Sequence, residues 1–473
     1  MILGIAIIWF LTGTFQMDKI QLVAASFMTP EKTGLINQAP TLSLIAFLCL
    51  AIASFAKAGA MPFHTWIPDM AATAPIPVTA YLPASLDKLL GIYLLARICL
   101  NLFTLNLNLN LVLMSIGAFT IVAAVFMAMI QHDMKKLLSY HAVSQVGYMV
   151  LGIGTGTPIG IAGGLFHMLN NVVYKSCLFL CAGSVEHKTG TTDLDKLGGL
   201  AKYMPLTFFA ALIAAFSISG VPPFNGFFSK WMIYQGIVQM FQSSNVGMFA
   251  WIFLVAAMFG SALTLASFMK LLHATFLGQL SESWKVKKLE SSNLATLQHS
   301  NILTEVSWTM WLPTVILAGL CIIFGIFAYQ LPLKLFILPS LSPIPYPLSP
   351  VFSGVWHPGL ATLLIIVGFV IGFMIYLISG TKFRVGETYI GGETLPAEVR
   401  VTGVDFYKTI TDIGFFKTMY NSAEQKMFDI YDWGKKIVSS VGFVLSELHT
   451  GNFETYLSWC LVGMILLLVV LIK

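Results

Sequence analysis

Charged residues are scarce in this chain of 473 residues. Asp, Glu, Lys and Arg together make up 10% of it, whereas hydrophobic residues make up 57%. A soluble domain cannot cover its surface with so little charge, so soluble fold classes are excluded. Apolar runs of about 20 residues, the length that crosses a bilayer, recur from the first residue to Leu471. The composition therefore predicts an all-α polytopic membrane protein.

The chain also lacks the sequence features of a redox protein. None of its six cysteines forms a Cys-x-x-Cys pair, and all six lie inside apolar runs, which is typical of small core residues. No dinucleotide-binding loop follows a strand, and no haem signature is present. We therefore expect no cofactor and no metal in this chain, and electrons must be handled elsewhere. A cleavable signal peptide is not expected either, because residues 2–15 lack a basic start and a cleavage pattern.

Eleven segments are predicted to cross the membrane. The intervening loops alternate between lysine-rich and uncharged, and the positive-inside rule places the lysine-rich ones in the cytoplasm. The modest net charge of +5 thus reflects topology rather than nucleic-acid binding. The eleven segments are 2–15, 42–63, 76–100, 108–130, 137–153, 160–185, 204–241, 247–275, 307–333, 358–380 and 454–472. The cytoplasmic lysines are Lys135 and Lys136, then Lys188, Lys196 and Lys202, then Lys285, Lys287 and Lys288.

Segment 204–241 is long enough for two crossings, but Pro222 and Pro223 interrupt it. Two crossings would place the Lys285 cluster outside, so the alternation of loop charge favours one crossing made of two half-helices. Proline removes a backbone donor and exposes carbonyl groups that must be satisfied at membrane depth, and such breaks are usually functional. The alternative is an ordinary proline kink in a packed helix.

Two stretches of the chain resemble each other and indicate an internal repeat. Residues 59–63 and 220–224 share a Gly-x-x-Pro-Phe pattern, so Pro62 is a second predicted helix break. One helix further on in each case, residues 84–90 match residues 266–272. The loop charges make the two copies enter the membrane from opposite sides, so the repeat is inverted. Inverted repeats with broken helices place an ion path near the membrane centre, between the halves.

Six charged residues inside the predicted spans are candidates for an ion path. A lysine near the bilayer centre costs ~2.5 to 3.5 kcal/mol on insertion scales and is normally retained only for a partner or an ion pathway. Loss of hydration also favours the neutral form of an amine, so a row of buried lysines is suited to passing protons. The alternative is that Lys57 and Lys270 reach the interface and that Asp87 and Lys88 neutralise each other. The six residues are Lys57, Asp87, Lys88, Lys175, Lys230 and Lys270.

Two histidines are further candidates. His167 lies eight residues before Lys175 with Asn171 halfway between, so all three share one helix face. His141 is a weaker candidate, because a lone histidine is more often a satisfied structural residue.

Residues 404–450 are too charged to span the membrane, yet they carry an apolar stripe. The stripe runs from Phe406 to Leu448 in steps of three and four residues, which predicts one amphipathic helix lying along the membrane. Such a helix would be ~70 Å long and could brace neighbouring subunits. The alternative is a partly helical peripheral tail.

Four motifs resemble those of the antiporter-like subunits shared by respiratory complex I, the Mrp sodium/proton antiporters and the membrane-bound energy-converting hydrogenases. The lateral helix and final span resemble the distal, largest member of the complex I set. The resemblance implies that Lys57, Lys88, Lys175 and Lys230 carry protons along a hydrated central axis. The motifs are residues 55–57 with 62–69, residues 133–140 with 144–149, residues 166–171 with Lys175, and residues 220–230.

The chain departs from this family in ways that bear on its site. The family's typical form has five more helices at the front, one bearing a glutamate that pairs with the equivalent of Lys57. We therefore expect Lys57 to lack an acidic partner here, with the helices supplied by a separate polypeptide or an upstream part of the same gene. Pro83 and Asn171 replace histidines of the family. These changes are closer to the hydrogenase branch, and related modules move either protons or sodium.

Together these observations predict a non-redox membrane subunit of a redox-driven ion translocase, hydrogenase-like or NADH:quinone oxidoreductase-like, in the inner membrane of a prokaryote. The alternative is a secondary cation/proton antiporter of the Mrp type, and a weaker third possibility is a membrane anchor. Expected partners are other membrane subunits, a peripheral arm with iron–sulfur clusters and the bilayer, but no nucleic acid. The predicted regions are 1–41 (first helix and loop), 42–280 (ion-translocating core), 281–381 (additional helices), 382–453 (lateral helix) and 454–473 (final anchor).

Overall fold

A computed structural model describes residues 1–17, 19–20, 39–243, 249–278, 304–341, 358–379, 404, 407, 410–411, 413–425, 427, 429–449 and 451–472. Within these ranges the regular structure is helical, apart from one isolated bridge between Asp133 and Asp193. The all-α prediction is therefore confirmed for the described part of the chain. The predicted lysine cluster at 285–288 and the start of the lateral region at 382–403 lie outside it.

The chain divides into two compact units, Met1–Tyr420 and Asn421–Lys473. The helices of the first unit are α1 (Ile2–Thr12), α2 (Ala39–Ala58), α3 (Trp66–Thr73), α4 (Ile76–Tyr81), α5 (Asp87–Arg97), α6 (Leu107–Met129), α7 (Met134–Gly154), α8 (Pro158–Thr189), α9 (Pro205–Ser219), α10 (Asn225–Ser243), α11 (Phe249–Thr275), α12 (Trp308–Ile326) and α13 (Pro358–Ser379). Three π-helical turns occupy Leu82–Leu86, Ile98–Leu102 and Tyr329–Ile337.

Each of the eleven predicted spans coincides with a helix or a broken helix among the described residues. By length and hydropathy, however, only α2, α6, α8, α11 and α12 qualify on their own as membrane-crossing helices among those residues. Helix α7 falls short because it carries many polar side chains, and others are shorter or broken. The membrane character is thus confirmed, whereas the number of eleven crossings stays a prediction.

Helices α7 and α8 occupy the centre of the first unit. Nearly every residue of α7 is buried, polar ones included, and α8 packs against α7, α9, α10 and α12. Asp133 precedes helix α7, and its carboxylate accepts a hydrogen bond from the amide of Lys136 and so caps the helix. Many polar side chains of these two helices, among them His141, Gln145, His167 and Lys175, are fully buried in protein.

Helices α6 and α7 approach each other closely at a pair of glycines. A Cβ atom added to Gly147 would lie 2.6 Å from the carbonyl oxygen of Gly117, and one added to Gly117 would lie 2.8 Å from that of Gly147. Only residues without a side chain fit this contact, which brings the two helix backbones together.

Both predicted helix breaks are present, and the helices that precede them end in the same way. Helix α2 stops before Gly59 and helix α9 stops before Gly220, with φ of 79° and 82°. In each case the amide after the glycine donates to a phenylalanine carbonyl five residues earlier, at 3.0 Å, from Ala60 to Phe55 and from Val221 to Phe216. This is the Schellman ending, which a left-handed glycine permits. The matching geometry supports the internal repeat.

The predicted lateral helix is not confirmed as one continuous element. The described residues of 404–450 form two helices, α14 (Gly414–Glu424) and α15 (Ile430–Leu448), and the latter starts at its own cap, Asp429. The chain passes from the first unit to the second within α14. In the first unit, buried Tyr420 donates to the carbonyl of Phe126, 3.1 Å away. In the second unit, α15 is followed by α16 (Phe453–Ile472) at an angle of 109°.

The glycine contact between α6 and α7 yields a prediction. We expect Gly147→Leu to destabilise the protein by about 1–3 kcal/mol or more, because the new side chain meets backbone that cannot move aside. The measurement is the Tm of the purified protein in detergent. Gly319→Leu on α12 is the matched control, since nothing lies within 4 Å of a Cβ there. Equal Tm values for the two variants would contradict the proposed packing role.

Candidate ion-translocation site

Lys57 forms an ion pair with Asp87. Lys57 lies in the last turn of α2, and Asp87 begins α5, directly after the π-helical turn at Leu82–Leu86. The prediction that Lys57 lacks an acidic partner in this chain is therefore wrong. Asp87 thus has Lys57 as its ion-pair partner, and it also lies close enough to Lys88 to act on it electrostatically. The sequence alone assigns Asp87 to the site, but its partner is 30 residues away and cannot be read from local spacing.

The pair is unevenly covered. The side chain of Asp87 is 11% exposed, whereas that of Lys57 is 49% exposed. Elsewhere on their surfaces α2 and α5 expose large apolar residues, namely Leu44, Ile45, Leu48, Ile52, Leu90 and Tyr93. Half of the Lys57 side chain is thus exposed on helices whose other exposed side chains are mostly apolar and suit lipid or another helix.

Lys88 is the next residue along and points into the protein. It is almost fully buried, and its Nζ has no hydrogen-bond partner among the described residues. The neighbouring π-helical turn is tied to α8, because Asn171 donates to the carbonyl of Ala84 at 3.4 Å and Ser85 bonds Ser176 at 2.6 Å. Pro83 lies inside that turn, which explains why the helix is irregular here.

Lys175 is fully buried on α8 and reaches across to α7. Its Nζ donates to the carbonyl oxygen of Leu138 at 2.7 Å and lies 5.6 Å from the ring centre of Phe268. Lys88 is close enough for the two positive charges to repel each other. The fold therefore brings together Lys88 and Lys175, which the sequence predicts separately as site residues.

His141 packs against the ring of Phe268, the same ring that the amine of Lys175 approaches. Its ring centre is 4.8 Å from that of Phe268, its Nε2 is 2.7 Å from the hydroxyl of Ser267, and its Nδ1 has no partner among the described residues. The sequence alone treats this histidine as a weaker candidate. The structure places it beside Lys175, in the interior of the row.

His167 continues the row toward α10. Its two ring nitrogens lie 3.1 Å from the side-chain oxygen of Gln145 and 2.9 Å from the hydroxyl of Ser229. His167 and Lys175 are on one face of α8, as the eight-residue spacing predicts, and Asn171 is buried between them. The sequence does not single out Gln145, although it follows His141 by four residues and so shares its face of α7.

Lys230 lies at the break between α9 and α10. Its Nζ donates to the carbonyl of Ile218 at 2.8 Å, and the carbonyl of Ser219 lies 3.5 Å away. These carbonyls belong to the end of α9, where the helix supplies no amide for them and its dipole is negative. The proline break is predicted to expose carbonyl groups that need a hydrogen-bond donor. Lys230 is that donor.

A group of hydroxyls beside Lys230 is missed by sequence reasoning. The amine lies 4.5 Å from the ring centre of Tyr148, a favourable cation–π distance. The hydroxyl of Tyr148 is 2.9 Å from that of Ser261, which is 2.7 Å from the hydroxyl of Tyr234. The spacing His141, Gln145, Tyr148 on α7 is a polar stripe that could have revealed it.

Lys270 has a similar local environment at another helix end. Its Nζ donates to the carbonyls of Met129 and Gln131 at 2.8 and 3.1 Å, at the end of α6. It is buried on α11, one turn after Ser267. Its assignment to the ion path stays a prediction, because these contacts also suit a lysine that caps a helix.

The assembled residues form what we call the polar row: Lys57, Asp87, Lys88, Lys175, His141, Gln145, His167 and Lys230. Several buried polar atoms along it and beside it have no partner among the described residues, namely Lys88 Nζ, His141 Nδ1, Gln145 Nε2, Asn170 Oδ1, Asn171 Oδ1 and Asn225 Nδ2. Unpaired buried polar atoms are costly, and internal water is what usually satisfies them. No described group of three or more histidine, cysteine or acidic side chains is placed to hold a metal ion.

A family model described as "NADH:quinone oxidoreductase/Mrp antiporter, TM" matches residues 1–264, more than half of the chain. The chain belongs to this family. The match contains the whole polar row, so the resemblance implied by the sequence motifs is confirmed.

Two relatives are components of bacterial sodium/proton antiporters. The one from Alkalihalophilus pseudofirmus is 34% identical over 283 residues, which cover 59% of this chain and 53% of the relative. The one from Bacillus subtilis is 30% identical over 325 residues, which cover 65% of this chain and 39% of the relative. The chain thus spans roughly two fifths to one half of the length of these relatives.

A solved structure extends the likeness to nearly the whole chain. The membrane-bound sulfane sulfur reductase, an archaeal respiratory membrane complex, contains a chain that is 25% identical to this one with a TM-score of 0.72. The match covers 99% of this chain and 74% of that chain. The family and its structural neighbours agree with ion translocation by an antiporter-like membrane subunit.

The Lys57–Asp87 pair yields a second prediction. We expect Lys57→Met and Asp87→Asn each to slow ion translocation, and the double variant to be no slower than either single one, because each change removes the same interaction. The measurement is the translocation rate in vesicles holding the intact complex. Lys202→Met, at an exposed lysine outside the row, is the control. Additive losses in the double variant would show that the two residues act separately.

Proposed function

We propose that this chain translocates protons across the membrane as an antiporter-like subunit of a redox-driven respiratory complex. The observation that carries the proposal is the polar row, in which charged or polar groups follow one another from Lys57 at the first helix break to Lys230 at the second. The unpaired atoms along the row suit a file of water between the side chains. Protons move along such a file from one titratable group to the next.

The chemistry of the row favours a proton over sodium. A sodium site between half-helices uses backbone carbonyls and carboxylates as ligands. At the second break, the carbonyls of Ile218 and Ser219 are occupied by the amine of Lys230. Among the described residues of the row, the only carboxylate is Asp87, and it is paired with Lys57. Amines and imidazoles exchange protons but do not bind sodium.

The redox-driven context is supported by the length of the match to the archaeal respiratory complex. That match covers 99% of this chain, whereas the two antiporter relatives match 65% and 59% of it. In keeping with such a complex, we propose that α15 lies along the membrane surface and contacts neighbouring subunits, and that iron–sulfur clusters are held by a separate peripheral arm. The chain itself is a non-redox subunit, and a prokaryotic cell membrane is its proposed location.

A secondary antiporter of the Mrp type is the alternative function. The observation in its favour is the identity of 30% and 34% with components of two sodium/proton antiporters. The two functions differ in partners and in driving force. A redox-driven complex contains electron-transfer subunits, whereas an antiporter exchanges protons for sodium without them.

Lys230 provides the direct test of proton translocation. We expect Lys230→Ala to slow translocation by about 100-fold or more, the scale on which a positioned proton-transfer group acts. Electron transfer in the complex should continue, because no electron carrier is touched. The measurement is the ΔpH formed by membrane vesicles alongside redox turnover. Lys202→Ala, an exposed lysine in a loop, is the control. Unchanged ΔpH formation by Lys230→Ala would rule out the assignment.

The exposed half of Lys57 leads to a prediction about partners. We propose that a further transmembrane helix covers this side of α2 in the intact complex, because half of a charged side chain would otherwise face lipid. Ala53→Cys, partly exposed and one helical turn before Lys57 on α2, should crosslink to a neighbouring segment in native membranes, and mass spectrometry of the product identifies it. Labelling of this variant by lipid-phase reagents, with no crosslink to protein, would contradict the proposal.

The proteins that copurify with this chain distinguish the two functions. Electron-transfer subunits would favour the redox-driven context, and small antiporter proteins would favour the alternative.

A further inference from the structure

An ion pair outside the polar row joins the ends of α7 and α8. The Nζ of Lys135 lies 2.7 Å from a carboxylate oxygen of Glu186, and the two side chains are 9% and 37% exposed. Lys135 is the second residue of α7, and Glu186 lies in the last turn of α8. None of the motifs discussed above assigns a role to either residue.

The pair lies near Lys175, a fully buried member of the polar row. One helical turn beyond Lys135 on α7 is Leu138, whose carbonyl accepts the hydrogen bond from Lys175. The buried hydroxyl of Ser139, the residue after Leu138, donates to the carbonyl of Lys135 at 2.7 Å. The two helices are therefore joined by two lysine contacts in succession, first at Glu186 and then at Leu138.

Exposure falls in steps along this route. Glu186 is in contact with the aqueous phase, Lys135 is nearly covered, and Lys175 is fully buried. Lys136, the next residue along, is exposed instead. An ion pair that served only to hold two helices together at the surface would contribute about 0–1 kcal/mol and would not require a buried lysine.

Other charged groups surround this end of the bundle. Asp133 accepts a hydrogen bond from Thr192 at 2.5 Å, His132 lies 2.8 Å from Asp195, and Lys196 pairs with Asp193 at 2.9 Å. Each of these groups has its own partner at the surface. Among these pairs, Lys135–Glu186 is the one whose cationic side chain is nearly covered.

We propose that the Lys135–Glu186 pair is the mouth of the proton path, passing protons between the aqueous phase and Lys175. This inference rests on the proposed function. A proton from water neutralises the carboxylate of Glu186 and releases the ammonium of Lys135 from the ion pair. Lys135 then gives its proton inward, through water near Ser139, to the neutral amine of Lys175. The proton on Glu186 passes to the neutral Lys135 and restores the ion pair, so one proton has moved inward.

The decisive variant is Lys135→Arg. Arginine keeps the positive charge and the ion pair with Glu186, but its guanidinium does not release a proton. We expect proton translocation to fall at least about tenfold in vesicles that hold the fully assembled complex, because a relay group is lost while the contact between helices remains. Lys136→Arg, the exposed neighbour, is the matched control and should translocate at the wild-type rate.

Two further variants keep the test decisive. If Lys135→Arg fails to assemble, Glu186→Gln replaces it, and a comparable loss is expected because the amide cannot take up the proton. Glu186→Asp preserves both the charge and the titration and should retain most of the rate. Translocation at the wild-type rate by Lys135→Arg, or by an assembled Glu186→Gln, would overturn the proposal and leave a structural ion pair.

The wild-type protein separates this inference from the proposed function. If wild-type vesicles move protons and Lys230→Ala vesicles do not, the proposed function stands. The Lys135→Arg result then tests only whether the Lys135–Glu186 pair is the mouth of the path. If wild-type vesicles form no ΔpH during redox turnover, the proposed function itself fails, and the inference fails with it.

Discussion

A buried ammonium group must find oxygen acceptors, and that requirement shapes the membrane core of this protein. Lysines enter the hydrocarbon region only at a cost of several kcal/mol, which hydrogen bonds to the charged amine offset. Here the acceptors are mostly backbone carbonyls rather than carboxylates. The amine of Lys230 lies on the last carbonyls of α9, and that of Lys270 lies on those that end α6. A helix end inside the protein supplies both free oxygens and the negative end of a dipole.

The helix breaks follow from the same requirement. A continuous helix uses its carbonyls internally, so a lysine among continuous helices would find few acceptors. Gly59 and Gly220 end their helices in the left-handed conformation, and the prolines that follow prevent immediate continuation. At the second break the amine of Lys230 lies on the freed carbonyls of α9. At the first break Lys57 lies in the last turn of α2 and pairs with Asp87 instead.

Holding amines with neutral carbonyls has a functional consequence. A carboxylate partner would stabilise the ammonium form strongly, whereas a carbonyl dipole stabilises it less and leaves the proton easier to release. Lys88, Lys175 and Lys230 have no carboxylate among their described hydrogen-bond partners. Carboxylates appear instead toward the two sides of the row, as Asp87 with the half-exposed Lys57 and as Glu186 with Lys135. The interior of the row thus suits proton exchange, and its charged pairs lie where the protein meets its surroundings.

The sequence by itself determined the membrane class, the two broken helices, the repeat and the buried lysines. Each of these follows from hydropathy, glycine and proline placement or spacing along one helix, which are local properties. Only the tertiary structure decided which groups meet. Asp87 contacts Lys57, Gln145 contacts His167, and Glu186 contacts Lys135, although each pair is distant in the chain. The sequence also predicted one lateral helix where the described residues form two, because the apolar stripe continues across Asp429, which caps the start of a new helix. Contacts between helices depend on their rotation and close approach, set here by packing such as that of Gly117 on Gly147. Hydropathy records which residues are buried, but it does not record which buried residues face one another.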